Sequence, residues 1–200
     1  MLDALLRLTD HYPLVLGSAS PRRNQLLREA GISFRKEVSN IEEQLRPGED
    51  PFAFAQRVAT EKAIAVATSC YPNEIVIGGD TVVVLRGQLL GKPKDPSDAI
   101  RILELLSGKQ HTVGTALALT LGDNLLASGI ETTRVFFNPV SRDQIVEYVA
   151  SGEPLDKAGA YGIQGMGAFL VDRIEGNLDT VIGLPLMLLN DLARETRRQI

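Results

Sequence analysis

Three helix starts of one kind divide this chain. Ser20-Pro21, Asp50-Pro51 and Asp95-Pro96 each put a side-chain acceptor at a cap position and a proline at the first helical position. Each follows a segment patterned as strand: the apolar run 14–17, the alternating "ISFRKEV", and "EIVIGGDTVVVLRGQLLGKP", which reads as strand, glycine-rich interruption, second strand and turn. The first helix covers residues 21–30 and is stopped by Gly31; the second is alanine-rich and runs towards Cys70; the third ends at Gly108. Beyond it, residues 111–137 read as a long hairpin turned at Gly122-Asp123-Asn124. Ser141 and Gln144 form a capping box for a helix over 142–150. A strand over 168–174, an "EGN" turn and a helix from residue 184 complete the chain. Alternation of this kind specifies an α/β fold, a mixed twisted sheet with flanking helices. Residues 1–13 read as a short helical or disordered lead-in, and residues 14–200 as one domain of two lobes.

Composition narrows the function. With 44% hydrophobic and 23% charged residues among 200, the chain is of ordinary globular make-up. Its net charge of -4 argues against coating nucleic acid by bulk attraction, so a bound polyanion must meet a local cluster of cations. Nucleic acid is therefore not an expected partner. A single cysteine, Cys70, excludes an internal disulfide and suits a reducing, cytoplasmic setting. No run approaches the length of a membrane span, and the opening "MLDALLRLTDHYP" lacks the pattern of a signal peptide.

The chemistry-bearing residues are scattered, and each has a plain reading beside a functional one. In "GSASPRR" the strand-to-helix turn offers Ser18, Ser20 and backbone N–H groups to an anion. Arg22 and Arg23 stand at a helix start, where cations are normally disfavoured. A phosphate group held there accounts for them, and so does a capped helix with two solvated arginines. In "GGDT", Asp80 and Thr81 suit a ligand or metal at a strand end; a β-bulge with Asp80 exposed is the alternative. Lys62 can reach from an apolar helix face into a cleft, or be an ordinary surface lysine. "GQLLGKPKD" is not a phosphate-binding P-loop, because three residues rather than four separate its glycines and Pro93 follows the lysine. Lys92 can still meet phosphate as a lone cation, or sit in a surface turn. Glu42 and Glu43 are either solvated loop acids or, with Asp80, oxygen ligands for Mg²⁺. Only two histidines, His11 and His111, and one cysteine make a zinc site improbable. The glycines at 159, 162, 165 and 167 do not form a dinucleotide fingerprint. They fit backbone lying close to something flat or bulky, with Gln164 offering donor and acceptor to a nucleobase edge; a tight structural turn explains them nearly as well.

In order along the chain, "SASPRR", "EKA", "GGDT", "GKP", "SGEPLDKAGAYGIQG" and "GLPL" resemble the Maf family of nucleoside triphosphate pyrophosphatases. The resemblance spans residues 14 to 190. The segment "DKAGAYGIQG" is similar to the branch acting on dTTP and UTP rather than 7-methyl-GTP. Gly79 departs from the alanine usual before the aspartate, and residues 1–13 precede the first strand. The resemblance implies a Maf/ITPase-like fold of two lobes around a central cleft, often a homodimer, using a divalent cation, Mg²⁺ or Mn²⁺. It implies cleavage between the α- and β-phosphates, giving a monophosphate and pyrophosphate and so removing non-standard or excess nucleotides. By motif match Asp80 is the general base and, with Glu43, metal-associated. Ser18, Arg22, Lys62 and Lys92 match triphosphate contacts, and Arg22, Thr81 and Gln164 match positions linked to substrate choice. Arg23 belongs to the same cationic cluster, which a bound triphosphate would neutralise. Two rival functions are the same chemistry on a modified or purine nucleotide and a non-catalytic nucleotide-binding regulator of cell division.

Overall fold

Each cap–proline pair starts a helix. The computed structural model describes residues 2–200. The Ser20 hydroxyl accepts from the Arg23 amide ahead of Pro21–Glu29 (α2), and the Asp50 carboxylate accepts from the Phe52 and Ala53 amides ahead of Pro51–Ala67 (α3). Asp95 does the same for Asp98 ahead of Pro96–Leu106 (α4). Ser141 and Gln144 form the expected reciprocal box on Arg142–Ala150 (α5). Gly31 follows α2 at a φ of 73°, a left-handed conformation that glycine adopts without steric cost.

The strands are Leu14–Gly17 (β1), Arg35–Glu37 (β2), Ile75–Leu85 (β3), Gln88–Leu90 (β4), Gln110–Leu121 (β5), Asn124–Phe137 (β6) and Val171–Glu175 (β7). They form one sheet in the order β2-β1-β3-β5-β6-β7, with β4 paired to β3. β1 runs parallel to both neighbours, with Val15 opposite Arg35 and Val76; β4 and β7 are antiparallel to β3 and β6. The sheet is therefore mixed, as the pattern of elements requires. Three segments differ from the sequence reading. "ISFRKEV" forms only the three residues of β2. The glycine pair 78–79 does not interrupt its strand, and β3 continues through it for 11 residues. Before the final helix, Leu186–Thr196 (α7), lies a short one, Leu178–Ile182 (α6), immediately after the "EGN" turn.

The residues fall into two compact units. One comprises the chain as far as Asp80, with Thr115–Glu131 and Gly183–Ile200; the other comprises Thr81–Gly114 and Thr132–Ile182. In the first, the lead-in is a packed helix, Asp3–Thr9 (α1), with Ala4, Leu5 and Leu8 in the core beside Leu189, Leu192 and Ala193 of α7. The buried Asn190 carboxamide oxygen accepts from the Ala4 and Leu5 amides at 3.0 and 3.2 Å, satisfying donors that a helix start leaves without partners. The alanines of α3 lie against β3. A Cβ at Gly78 would stand 2.1 Å from the Ala59 carbonyl oxygen and 2.8 Å from the Ala63 amide, so only glycine admits the helix at this distance.

The second unit has its own core, built on Val83, Leu103, Leu106, Val113, Val135, Phe137, Ile145 and Tyr161 among others. Within it His111, Phe137 and Tyr161 meet edge to face. His111 Nε2 and the Tyr161 hydroxyl share a 2.8 Å hydrogen bond. Burial lowers the His111 pKa from 6.5 to about 4.

Two stability measurements check this packing. Gly78→Ala should lower the urea-unfolding free energy by about 3 kcal/mol, because backbone rather than a mobile side-chain tip blocks the new methyl. Gly79→Ala meets only Leu117 and Arg23 side-chain atoms at 3.2 and 3.4 Å, and should cost under about 1 kcal/mol. Equal losses would contradict the packing. For His111 the sign follows from its depressed pKa. Below pH 6.5 the unfolded chain takes up a proton that the folded histidine refuses until pH falls to about 4, so stability declines across that window. The full loss is on the order of 3 kcal/mol. His111→Phe should flatten the dependence of unfolding free energy on pH between 6.5 and 4, and unchanged slopes would show that His111 is not held neutral.

Candidate active site

The turn after β1 is closed by its own side chains. The Ser18 amide donates to the Leu16 carbonyl at 2.9 Å, and the Ser20 amide donates to Ser18 Oγ at 3.2 Å. With the Arg23 amide on Ser20 Oγ, three amides of this turn are engaged, so fewer are open to an anion than the sequence reading assumed. Ser18 is buried, and its hydroxyl retains one proton to donate.

The two arginines part company here. Arg22 is half-buried in the first turn of α2. Arg23 is 8% exposed. Its Nε donates to the Gly183 carbonyl at 2.7 Å, and its Nη1 donates to Ser18 Oγ at 3.1 Å and to the Gly79 carbonyl at 2.9 Å. One guanidinium thus ties the start of α2 to β3 and to the residues leading into α7. Burial lowers its pKa, the charges of Asp80 and Glu43 oppose that, and Arg22 adds to it. Each of these three charges is close enough to act on Arg23.

Strand alternation sends the Asp80 side chain to the same face as Gly78, towards α3. There Lys62 lies on the helix face of Ala59 and Ala63, at i, i+3 and i+4. Its Nζ is 2.8 Å from Asp80 Oδ1 and 2.8 Å from Glu43 Oε1. The Asp80 side chain is 9% exposed and that of Lys62 12%, whereas Glu43 lies in an open loop. Burial raises the Asp80 pKa above 3.8; Lys62 and Arg23 draw it down and Glu43 pushes it up. A buried carboxylate with raised proton affinity, held by one ammonium, can accept a proton from water. Glu42, the other acid considered, is exposed.

The Glu43 loop is itself anchored by residues outside the motifs above. Arg57, on α3, donates through Nη2 to the Gln44 carbonyl at 3.0 Å and pairs with Glu49 at 2.7 Å and Glu61 at 3.0 Å. Its hydrogen bonds lower the Glu49 pKa to about 2. The i,i+4 spacing of Arg57 and Glu61 was a visible signal, but nothing local in the sequence pointed to Glu49 or Gln44.

Three further candidates lie in the second unit. Thr81 follows Asp80 on β3 and is half-buried. Lys92 is exposed in the turn after β4, where the Gly159 amide donates to the Gly91 carbonyl at 3.1 Å. Gln164 is exposed in extended backbone immediately before a 3₁₀ turn, Gly165–Leu170. The glycines of this segment do lie close to something bulky, namely protein: Val83 at Gly159, and Glu153 or Tyr148 at Gly162, Gly165 and Gly167. No group of three or more His, Cys, Asp or Glu suited to a metal occurs among the described residues, and no helix is long and apolar enough to cross a membrane.

Arg23 generates a direct test. Arg23→Lys cannot reach three acceptors in the planar arrangement of a guanidinium. It should lower unfolding free energy by about 1–3 kcal/mol for each buried acceptor left without a donor, while Arg22→Lys should leave stability within about 0.5 kcal/mol of the parent. Thermal and urea unfolding of both variants measure this; equal stabilities would refute the bracing role.

Comparison with known proteins agrees with the order of motifs. A protein named dTTP/UTP pyrophosphatase from Koribacter versatilis is 49% identical over 173 residues, covering 86% of this chain and 89% of that one. Proteins of the same name from Aquifex aeolicus and Shewanella denitrificans are 44% and 50% identical, covering 91% and 86% of this chain and 94% and 90% of their own. The family described as Maf-like protein matches residues 13–196. That span contains every element from β1 to α7 and each candidate residue above, and this chain belongs to the Maf family.

Proposed function

We propose that this protein hydrolyses dTTP and UTP to the nucleoside monophosphate and pyrophosphate. The observation that carries the proposal is the convergence of Asp80 and Glu43 on Lys62, in a chain whose relatives bear that name. In the proposed reaction the Asp80 carboxylate takes a proton from water, and the water oxygen attacks the α-phosphorus. The bond from that phosphorus to the α–β bridging oxygen breaks, and the electron pair leaves on pyrophosphate. Burial supports this role for Asp80, because a raised pKa makes a carboxylate a better base than one free in water. Lys62 holds the carboxylate in place and offsets its charge.

The donor set fits a divalent cation. Two carboxylates already converge on one positive point, and Mg²⁺ is commonly held by one or two carboxylates together with substrate phosphates and water. Glu43 and Asp80 would hold Mg²⁺ or Mn²⁺, which when bound would offset the negative charge of the phosphates and the leaving pyrophosphate. Arg22, with its planar fork, is proposed to grip phosphate oxygens. Ser18 retains a donor for the same purpose, and Arg23 shapes the pocket by holding Ser18 and Gly79. Triphosphate binding by Lys92, and substrate choice by Thr81 and Gln164, rest on the family resemblance alone. A cytoplasmic homodimer belongs to the same proposal.

The experiment is a panel of dTTP, UTP, CTP, ATP, GTP and 7-methyl-GTP with Mg²⁺, with pyrophosphate and the monophosphate both quantified. The expected order puts dTTP and UTP first in kcat/KM, with activity lost in EDTA. Asp80→Asn should lower kcat by at least about 100-fold while remaining folded. A purine at the head of the panel would overturn the substrate, and a folded, active Asp80→Asn enzyme would overturn the mechanism.

A further inference from the structure

The segment bearing Gln164 is anchored at its ends, where Ile163 packs against the second core and Leu170 is fully buried, whereas Gln164, Gly165 and Met166 between them are open to solvent, Met166 at 57% exposure. One carboxylate holds the exposed stretch between those ends. Glu153 Oε1 accepts from the Gly167 amide at 3.1 Å and from the Tyr148 hydroxyl at 2.9 Å, and Oε2 accepts from the Met166 amide at 3.0 Å. The Tyr148 hydroxyl in turn accepts from the Gly162 amide at 3.1 Å. Three backbone amides on either side of Gln164 are therefore held by a single Glu153–Tyr148 pair. Lys157 braces the pair from below, with Nζ donating to the Glu153 carbonyl and to Asp156.

The glycines record how tightly the chain wraps this carboxylate. At Gly165, where φ is 77°, a Cβ would lie 2.9 Å from Glu153 Oε2. At Gly167 it would lie 2.6 Å from the Tyr148 hydroxyl and 2.4 Å from the Gly162 carbonyl. Burial works against the ionised carboxyl, but the Met166 amide, the Tyr148 hydroxyl and the Gly167 amide outweigh it, so Glu153 titrates below its ordinary value. Each of those donors is satisfied only while the loop keeps this shape.

We propose that Glu153, through Tyr148 and the amides of Gly162, Met166 and Gly167, is a positioning residue that sets nucleobase selectivity by holding the backbone that carries Gln164 in one place. The inference rests on the dTTP/UTP reading above. On a mobile loop Gln164 can retreat to admit a purine or advance on a pyrimidine; on a fixed loop its distance from the base edge is set while its terminal amide stays free to turn. The carboxylate acts through the loop and does not itself touch the base.

Glu153→Gln keeps the shape but sets an N–H₂ group against one of the backbone amides. It should raise KM for dTTP by about 10-fold with a smaller change in kcat, and reduce the ratio of kcat/KM for dTTP over GTP by about 10-fold or more. Tyr148→Phe removes one of the three anchors and should shift the same ratio in the same direction by a smaller factor. In a Gln164→Ala background, Glu153→Gln should add no further loss of selectivity, which a general weakening of the fold would not reproduce. If Glu153→Gln fails to fold, Tyr148→Phe carries the test, alone and with Gln164→Ala. A wild-type enzyme without pyrimidine preference overturns the reading beneath the inference. A wild-type preference that survives Glu153→Gln or Tyr148→Phe unchanged, or falls equally with and without Gln164, overturns the inference alone.

Discussion

The contact between α3 and β3 at Gly78 governs the chemistry available to the first unit. Because a hydrogen stands where any other residue has a Cβ, the backbone of Ala59 and Ala63 reaches the strand. That approach places Lys62 within hydrogen-bond distance of Asp80, two residues along the same strand face. A bulkier residue would push the helix outward and leave a nearly buried aspartate without its cation. Losing one partner of a buried ion pair is far costlier than never having formed it. Helix packing and the proposed base are thus one arrangement.

The paired arginines show how a local rule is overridden. A helix start disfavours positive charge, yet Arg23 is built into one. Its fork is aimed at two carbonyls and a hydroxyl, whose lone pairs supply the negative potential that the helix end lacks. Asp80 and Glu43 lie near enough to support it further. Only Arg22 is left partly open, and the motif that reads as two equal cations divides into a brace and a candidate phosphate ligand. The Glu43 loop and the Gln164 loop follow a similar logic, in which long-range polar contacts hold solvent-exposed stretches: Arg57 holds the first and Glu153 the second.

Features set within a few residues of one another were legible in the sequence. The caps at Ser20, Asp50, Asp95 and Ser141 form as written, because each is a bond between a side chain and an amide two or three positions ahead. The long hairpin and the mixed sheet follow from apolar alternation and turn residues. Motif order was enough to recognise the Maf family, since it depends on residue types rather than coordinates. Less legible were the edges of pattern: β2 is shorter than its alternation suggests, and α6, at five residues, is too short to show a helical period.

What the sequence by itself determined is therefore the set of elements, their order and the family's chemical vocabulary. Only the tertiary structure decided which of two adjacent glycines admits a helix, which of two adjacent arginines turns inward, and which carboxylate the glycine-rich segment wraps. Those choices depend on groups far apart in the chain: Asp80 is 18 residues from Lys62, Gly183 is 160 from Arg23, and Met166 is 13 from Glu153. A local pattern specifies hydrogen bonds whose partners travel together along the chain. Partners that meet only after the sheet has formed are selected by space and desolvation, which no short stretch of sequence encodes.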